Sequence, residues 1–409
     1  MELENKLEDL KKSPMFNLSL SSKELFHSNF LAWVMEAYPK KMASCFSELF
    51  NIDASDPQCI QNVQREKSNI DLSFTIGDTL CLIENKVKSI AYKDQLDKYS
   101  QYIISDFIKN DNQGITKIKH ILLSPLIPGF FNLNDKYEPS KSDIVKHLKK
   151  EQRKKRENKI KDIIWHYVSY EEMLKSLADF KLKQIYNEEI INDYVVFMTL
   201  LLELILGKKD VDIIKLYKKD SAENKFLEKT QDLRLHDFYQ KVVFSSFAEL
   251  VEKELNNNGE KCEFGVKVSG KDPQIEGIYM NWGFTNSTGF LDVKYISKKF
   301  HIVIQIQGNQ YRKMIVGKDN KGVIEAAGKY SDLFKFDTGI AVYPEKVNRF
   351  FEENDSMDDK KFNRYNTTKY LAMYKYVYTS DLKEVDIDSN LSLAKKISLD
   401  LINMIEVVK

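Results

Sequence analysis

The sequence predicts an α/β protein in two parts: a mixed sheet flanked by helices over residues 1–210, and a second α+β domain over residues 221–409. Three observations carry that expectation. Residues 69–76 alternate strictly, with Ile70, Leu72, Phe74 and Ile76 set against Asn69, Asp71, Ser73 and Thr75, which is the period of a strand with one buried face. Segments with helical spacing precede and follow that strand, as in a layered α/β domain. At 409 residues the chain also exceeds what one ordinary core accommodates.

Taken in order, residues 23–50 place Leu25, Phe26, Phe30, Trp33, Val34 and Ala37 at helical spacing, with Ser21 as N-cap. Gly77-Asp78 then supplies a tight turn between the alternating strand and a second one over 79–87. Residues 92–109 read as a helix, and 120–126 and 163–168 as short, largely apolar strands. Ser169-Tyr-Glu-Glu172 offers a capping box for another helix. The most apolar stretch, 195–206, is short and contains Glu203, so it reads as a buried helix and not a membrane span. A mostly polar stretch over 207–221 separates the halves. The second half opens with one long helical pattern over 226–255, followed by strands near 262–268, 276–284, 290–296 and 300–307. A helix near 322–334, a strand near 338–343 and a closing helix near 389–407 complete it.

Composition narrows the class without naming it. Hydrophobic residues make up 43% and charged residues 30%, which fits a globular protein. Lysine plus arginine (62) nearly cancels aspartate plus glutamate (61), so any nucleic-acid surface has to be a local patch on a neutral body. One candidate patch is the run over 146–161, with nine lysines or arginines in sixteen positions, including Arg153, Lys154, Lys155 and Arg156. It is either a solvated segment or a phosphate-contacting arm. Cys45, Cys59, Cys81 and Cys262 lack CxxC spacing and read as free thiols of a reducing compartment. The charged N-terminus has no apolar signal core, and the expected location is the cytoplasm.

The hairpin carries the chemistry. With Gly77 and Asp78 as turn residues, opposed positions sum to 155, and Asp71 faces Glu84. Side chains so opposed lie about 5 Å apart at Cβ, where like charges are destabilising unless a cation sits between them. Hard oxygen ligands at that separation suit Mg²⁺. Lys86, two residues beyond Glu84, points to the same face, where an ammonium can act on an attacking water and offset phosphate charge. The plain competitor is a salt-bridge cluster on an ordinary hairpin. A turn longer by one residue would shift the register and remove the pairing.

These residues resemble the PD-(D/E)xK nuclease superfamily. Asp71 stands in Asn-Ile-Asp and Glu84-Asn85-Lys86 forms the ExK element. Gln95-Leu-Asp-Lys-Tyr99 is similar to the QxxxY element of the recombination-exonuclease branch. Glu24-Leu-Phe-His-Ser-Asn-Phe-Leu-Ala-Trp33 resembles the opening helix of a bacterial group within the superfamily. One departure is Ile70, where the motif's name has proline. The resemblance covers about 16–178 and implies a restriction-endonuclease-like mixed sheet. It implies Asp71 and Glu84 as direct Mg²⁺ ligands (Mn²⁺ able to substitute), with the backbone carbonyl of Asn85 as a further ligand and Lys86 acting on the attacking water. It also implies Glu24 in or behind the metal shell, and Gln95 and Tyr99 on the substrate side.

Each of these has a plainer reading. Glu24 can close a capping box with Ser21, and Gln95 with Tyr99 can be an i,i+4 surface pair. His27 reads as a satisfied structural histidine, with Phe30 and Trp33 in the core. Arg65, Glu66 and Lys67 read as exposed, Lys67 being a modest candidate for a phosphate contact.

In the second half, residues 289–308 form another plausible hairpin, with Lys298-Lys299 as its turn. Asp292 then faces Gln305, and Gln307 takes the position of the lysine. Two readings follow: a degenerate, metal-free copy of the first core, or an unrelated α+β module for specificity, dimerisation or partner binding. The expected function is Mg²⁺-dependent hydrolysis of phosphodiester bonds, DNA favoured, in bacterial defence against foreign DNA. An RNA-cleaving enzyme with the same site and a non-catalytic nucleic-acid- or protein-binding module are the alternatives. A homodimer or a protein partner is left open, and no membrane is expected.

Overall fold

The structure is a computed structural model that describes residues 2–20, 25–52, 59–67, 69–87, 91, 95–96, 99, 114–126, 165–179, 188–264, 276–297, 300–317, 374–382 and 387–408. The chain divides into two compact units, Met1–Gly207 and Lys208–Lys409. Each combines helices with a sheet.

In the first unit, α1 (Glu2–Lys12) and α2 (Pro14–Ser19) lead into α3 (Leu25–Ala37) and α4 (Pro39–Leu49). The single helix expected over 23–50 is therefore two. Pro39 has no N–H to continue the ladder and fits the first turn of a new helix, so the chain breaks at Tyr38. Next come β1 (Ile60–Lys67), β2 (Ile70–Ile76), β3 (Thr79–Asn85), β4 (Lys117–Ser124) and β5 (Trp165–Ser169). Helices α5 (Tyr170–Asp179) and α6 (Glu188–Leu206) close the unit. Among the described residues the five strands lie in the order β1-β2-β3-β4-β5. The β1–β2 and β2–β3 pairs are antiparallel, and β3–β4 and β4–β5 are parallel. This is the mixed sheet flanked by helices that the sequence predicts.

Strand β1 had no alternating signal. It is an edge strand with mostly exposed polar residues, and its pairing is interrupted between Gln61 and Gln64.

The alternation of β2 and β3 sorts their side chains onto two faces. One face carries Asp71, Ser73 and Thr75 beside Leu80, Leu82 and Glu84, continuing through Ile118, His120 and Leu122 to Trp165 and Tyr167. Ala91, Leu96 and Tyr99 pack on its apolar part. The other face carries Leu72, Phe74, Cys81, Ile83 and Asn85. Phe74 stacks on Phe46 of α4 with centroids 5.4 Å apart, and Lys119 Nζ donates to the Phe50 and Asn51 carbonyls just past α4, both at 2.7 Å.

The second unit contains α7 (Ile213–Leu216), α8 (Ala222–Asp232), α9 (His236–Asn257), β6 (Cys262–Phe264), β7 (Gly277–Thr285), β8 (Thr288–Ile296), β9 (Phe300–Gln307), β10 (Gln310–Gly317), β11 (Tyr374–Asp381) and α10 (Asn390–Val408). The expected long helix over 226–255 is also two, because Arg234 adopts the left-handed conformation (φ 54°) between them. The helix and strand expected at 322–334 and 338–343 lie outside the described residues.

The described sheet runs β11-β10-β9-β8-β7-β6. Asp292 does pair with Gln305. Beyond that hairpin the likeness to the first unit stops. Strand β10 pairs antiparallel to β9 through a tight turn, whereas β4 pairs parallel to β3. Among the described residues the hairpins correspond and the pairing of the next strand does not. No helix among the described residues is long and apolar enough to cross a membrane.

Candidate active site

The predicted register is observed. Ile76 pairs with Thr79 and Leu72 with Ile83, the 155 sum throughout, with Gly77 at the turn in the left-handed region (φ 57°) that a two-residue loop needs. One further step brings Asp71 opposite Glu84. At that point the ladder ends, and the backbone N–H of Asn85 donates to Asp71 Oδ2 at 2.7 Å. The Asp71 carboxylate is thereby tied to the strand that carries Glu84.

Glu84 is 2% exposed and Lys86 6%. A carboxylate this deeply buried requires a compensating cation. Lys86 Nζ supplies one at 2.5 Å from Glu84 Oε1. Asn85, between them, turns the opposite way, as extended backbone requires. Its side chain donates from Nδ2 to Ser28 Oγ of α3 at 3.0 Å and accepts at Oδ1 from the Tyr170 hydroxyl at 2.5 Å.

The structure therefore brings Asp71, Glu84, Asn85 and Lys86 to one end of the β2–β3 hairpin. Two carboxylates from adjacent strands offer hard oxygen donors of the kind Mg²⁺ takes, which leaves its other positions for water and phosphate. Among the described residues no three of His, Cys, Asp or Glu converge as a ligand group.

Gln95 and Tyr99 bond to each other, Gln95 Nε2 donating to the Tyr99 hydroxyl at 2.7 Å, in the plainer arrangement of an i,i+4 pair. Tyr99 packs on the apolar cluster of the same sheet face that carries Asp71 and Glu84. Lys67 lies at the exposed end of β1, paired with Ile70. Glu24, Arg153, Lys154, Lys155 and Arg156 lie outside the described residues. Phe30 is buried as expected, while Trp33 is only half-buried.

Two residues escaped the sequence reading. Tyr170 is fully buried, and burial pushes its phenol well above the ordinary value, with the negative charge of Asp71 contributing. Ser28 is equally buried on α3. Position after a capping serine was the only local mark on Tyr170, and it signals a helix start and not a neighbour 85 residues away. His27 is buried, with Nδ1 3.1 Å from the Tyr194 hydroxyl, and its ring stacks near Phe197.

In the second unit, Asp292 accepts from Gln305 Nε2 at 2.7 Å and pairs with Lys294 at 3.3 Å. Arg312 donates to the side-chain carbonyls of Gln305, Gln307 and Gln310. One carboxylate among amides offers no second anionic ligand on this hairpin.

No curated protein and no solved structure matches the chain. Residues 15–195 match the family model described as PD-(D/E)XK nuclease superfamily. That span holds the mixed sheet, the Asp71–Glu84 hairpin and the flanking helices, and it is this N-terminal part of the chain that is similar to the PD-(D/E)XK nuclease superfamily.

Proposed function

We propose that the N-terminal unit hydrolyses phosphodiester bonds, with DNA as the favoured substrate, using Mg²⁺ (or Mn²⁺) held by Asp71, Glu84 and the backbone carbonyl of Asn85. The observation that carries this reading is the hairpin end, where Asp71 stands in register with a buried Glu84 whose carboxylate is 2.5 Å from Lys86 Nζ. A divalent ion bound there neutralises charge on the scissile phosphate and acidifies water.

The protein's own groups supply the rest. Asp71 and Glu84 hold the charge that binds the ion. Lys86 orients the attacking water beside Glu84 and offsets the charge that builds on phosphate oxygens as water adds to phosphorus and the P–O bond breaks. Glu24 lies in or behind the metal shell, and Gln95 and Tyr99 shape the substrate side. Lys67 and the basic residues Arg153, Lys154, Lys155 and Arg156 contact the phosphate backbone. The C-terminal unit selects substrate, dimerises or binds a partner. The setting is cytoplasmic, in defence against foreign DNA.

A non-catalytic role accounts poorly for a buried carboxylate–lysine pair beside a second carboxylate. An arrangement that only binds has no use for a site that costs desolvation of both charges.

The test is to incubate full-length protein with linear, nicked, circular and single-stranded DNA and with RNA, each with Mg²⁺, Mn²⁺ or EDTA. Cleavage of DNA is expected with either ion and none with EDTA. Cleavage of RNA alone would transfer the same site to RNA. Asp71→Ala and Lys86→Ala variants that cut as well as the parent would falsify the site.

A further inference from the structure

Buried polar groups of the helices back the hairpin and reach its acidic pair through Asn85. His27 Nδ1 lies 3.1 Å from the Tyr194 hydroxyl, and its ring meets those of Tyr194 and Tyr170 edge-on, with centroids 5.9 and 6.4 Å away. The Tyr170 hydroxyl donates to Asn85 Oδ1 at 2.5 Å, and the Asn85 N–H donates to Asp71 Oδ2 at 2.7 Å. The side chains of His27, Tyr194, Tyr170 and Asn85 are each at most 1% exposed.

Direction follows from the inventory of protons. Asn85 Oδ1 has none, so Tyr170 donates its only one there. That bond ties the start of α5 to the end of β3.

The place of the acceptor in the strand gives this bond its reach. Asn85 is flanked by Glu84 and Lys86, and in extended backbone a residue fixed on one face fixes its neighbours on the other. Ser28 and Tyr170 grip the two ends of the Asn85 amide. A rotation of Asn85 would turn Glu84, Lys86, the N–H that holds Asp71 and the strand-end carbonyl together.

We propose that Tyr170 is a positioning residue for the ion site: by holding the Asn85 amide from behind the sheet, it sets the separation of the Asp71 and Glu84 carboxylates. The inference rests on the reading of those residues as the site. Groups that orient ligands from behind commonly govern affinity and turnover by about ten- to a hundredfold, without touching ion or substrate.

The experiment is isothermal titration of Mn²⁺ into the full-length parent and Tyr170→Phe, at a temperature well below either melting transition, followed by steady-state DNA cleavage. Tyr170→Phe is expected to bind Mn²⁺ about tenfold more weakly. Its kcat should fall at limiting Mn²⁺ with KM for DNA unchanged, and excess Mn²⁺ should restore turnover. A purely structural tyrosine would lower the melting temperature and leave Mn²⁺ affinity alone, and that result overturns the proposal.

Should Tyr170→Phe not fold, Ser28→Ala removes the other grip on the amide, and a several-fold weaker Mn²⁺ affinity is expected of it. Parent-like affinity in Ser28→Ala would then count against the proposal in the same way. A parent that takes up no Mn²⁺ overturns the nuclease reading and this inference with it. A parent that binds Mn²⁺ beside a Tyr170→Phe that binds it equally well overturns the inference alone.

Discussion

Lys86 Nζ and Glu84 Oε1 lie 2.5 Å apart, with side chains 8% and 2% exposed. Breaking such a pair from one side leaves an uncompensated buried charge, which costs about 3–5 kcal/mol. Lys86→Ala should therefore lose stability of that order as well as activity. Because an ion at the carboxylates offers Glu84 another counter-charge, added Mn²⁺ should raise the melting temperature of Lys86→Ala more than that of the parent. Equal shifts in a melting series against Mn²⁺ would show that Glu84 does not face the ion.

The basic run makes a separate prediction. Replacing Lys154, Lys155 and Arg156 by alanine removes three positive charges, and the slope of log affinity for duplex DNA against log salt should flatten by about 2–3. Binding isotherms across a salt series read it directly. An unchanged slope assigns the run no phosphate contact.

His120 links pH to stability. Full burial, with His166 adding repulsion, pulls its pKa from 6.5 down to about 3. The folded state therefore holds this ring neutral while the unfolded chain protonates it below about 6.5, so the unfolded state binds more protons in that window. Stability contributed by the neutral ring is whole above pH 6.5 and declines as pH falls toward 3, at up to about 1.4 kcal/mol per pH unit. Urea midpoints measured from pH 7.5 to 5 should fall for the parent and fall less steeply for His120→Leu. Parallel curves would mean that His120 is not the group responsible.

At the start of α5, Ser169 Oγ accepts from the Glu172 N–H at 3.0 Å, and Glu172 Oε2 accepts from the Ser169 N–H at 2.9 Å. This is the reciprocal box that the sequence predicts. Ser169→Ala should cost about 1 kcal/mol in chemical denaturation. The substitution alters no ion-site residue, so ion affinity should hold. A larger loss would point to a displaced Tyr170.

In the second unit, a Cβ added at Gly289 would meet two ring carbons of Phe244 at 2.4 Å and Gln240 Cβ at 3.3 Å. Gly289→Ala should destabilise that unit by about 1–3 kcal/mol through overpacking. Gly289→Ala paired with Phe244→Leu should recover part of the loss in thermal melts. No recovery would place the cost elsewhere, for instance in the bonds the Gly289 N–H makes to Gln240 and Tyr217.

The sequence by itself determined what nearest neighbours and turn sterics determine. Period-2 alternation, with a glycine able to take positive φ, fixed the β2–β3 register and so the opposition of Asp71 and Glu84. The same logic placed Gln305 against Asp292 and put the capping box at Ser169. Only the tertiary structure decided the rest. The polar edge strand β1 gave no alternating signal because nearly all its side chains, on either face, are exposed. Arg234 breaks a helix without glycine or proline to announce it. The parallel pairing of β3 with β4, against the antiparallel pairing of β9 with β10, distinguishes two sheets whose hairpins read alike. The grip of Ser28 and Tyr170 on Asn85 spans 57 and 85 residues of chain. Contacts of that separation depend on how helices pack across a sheet, and packing is a property of the assembled surfaces that no local spacing encodes.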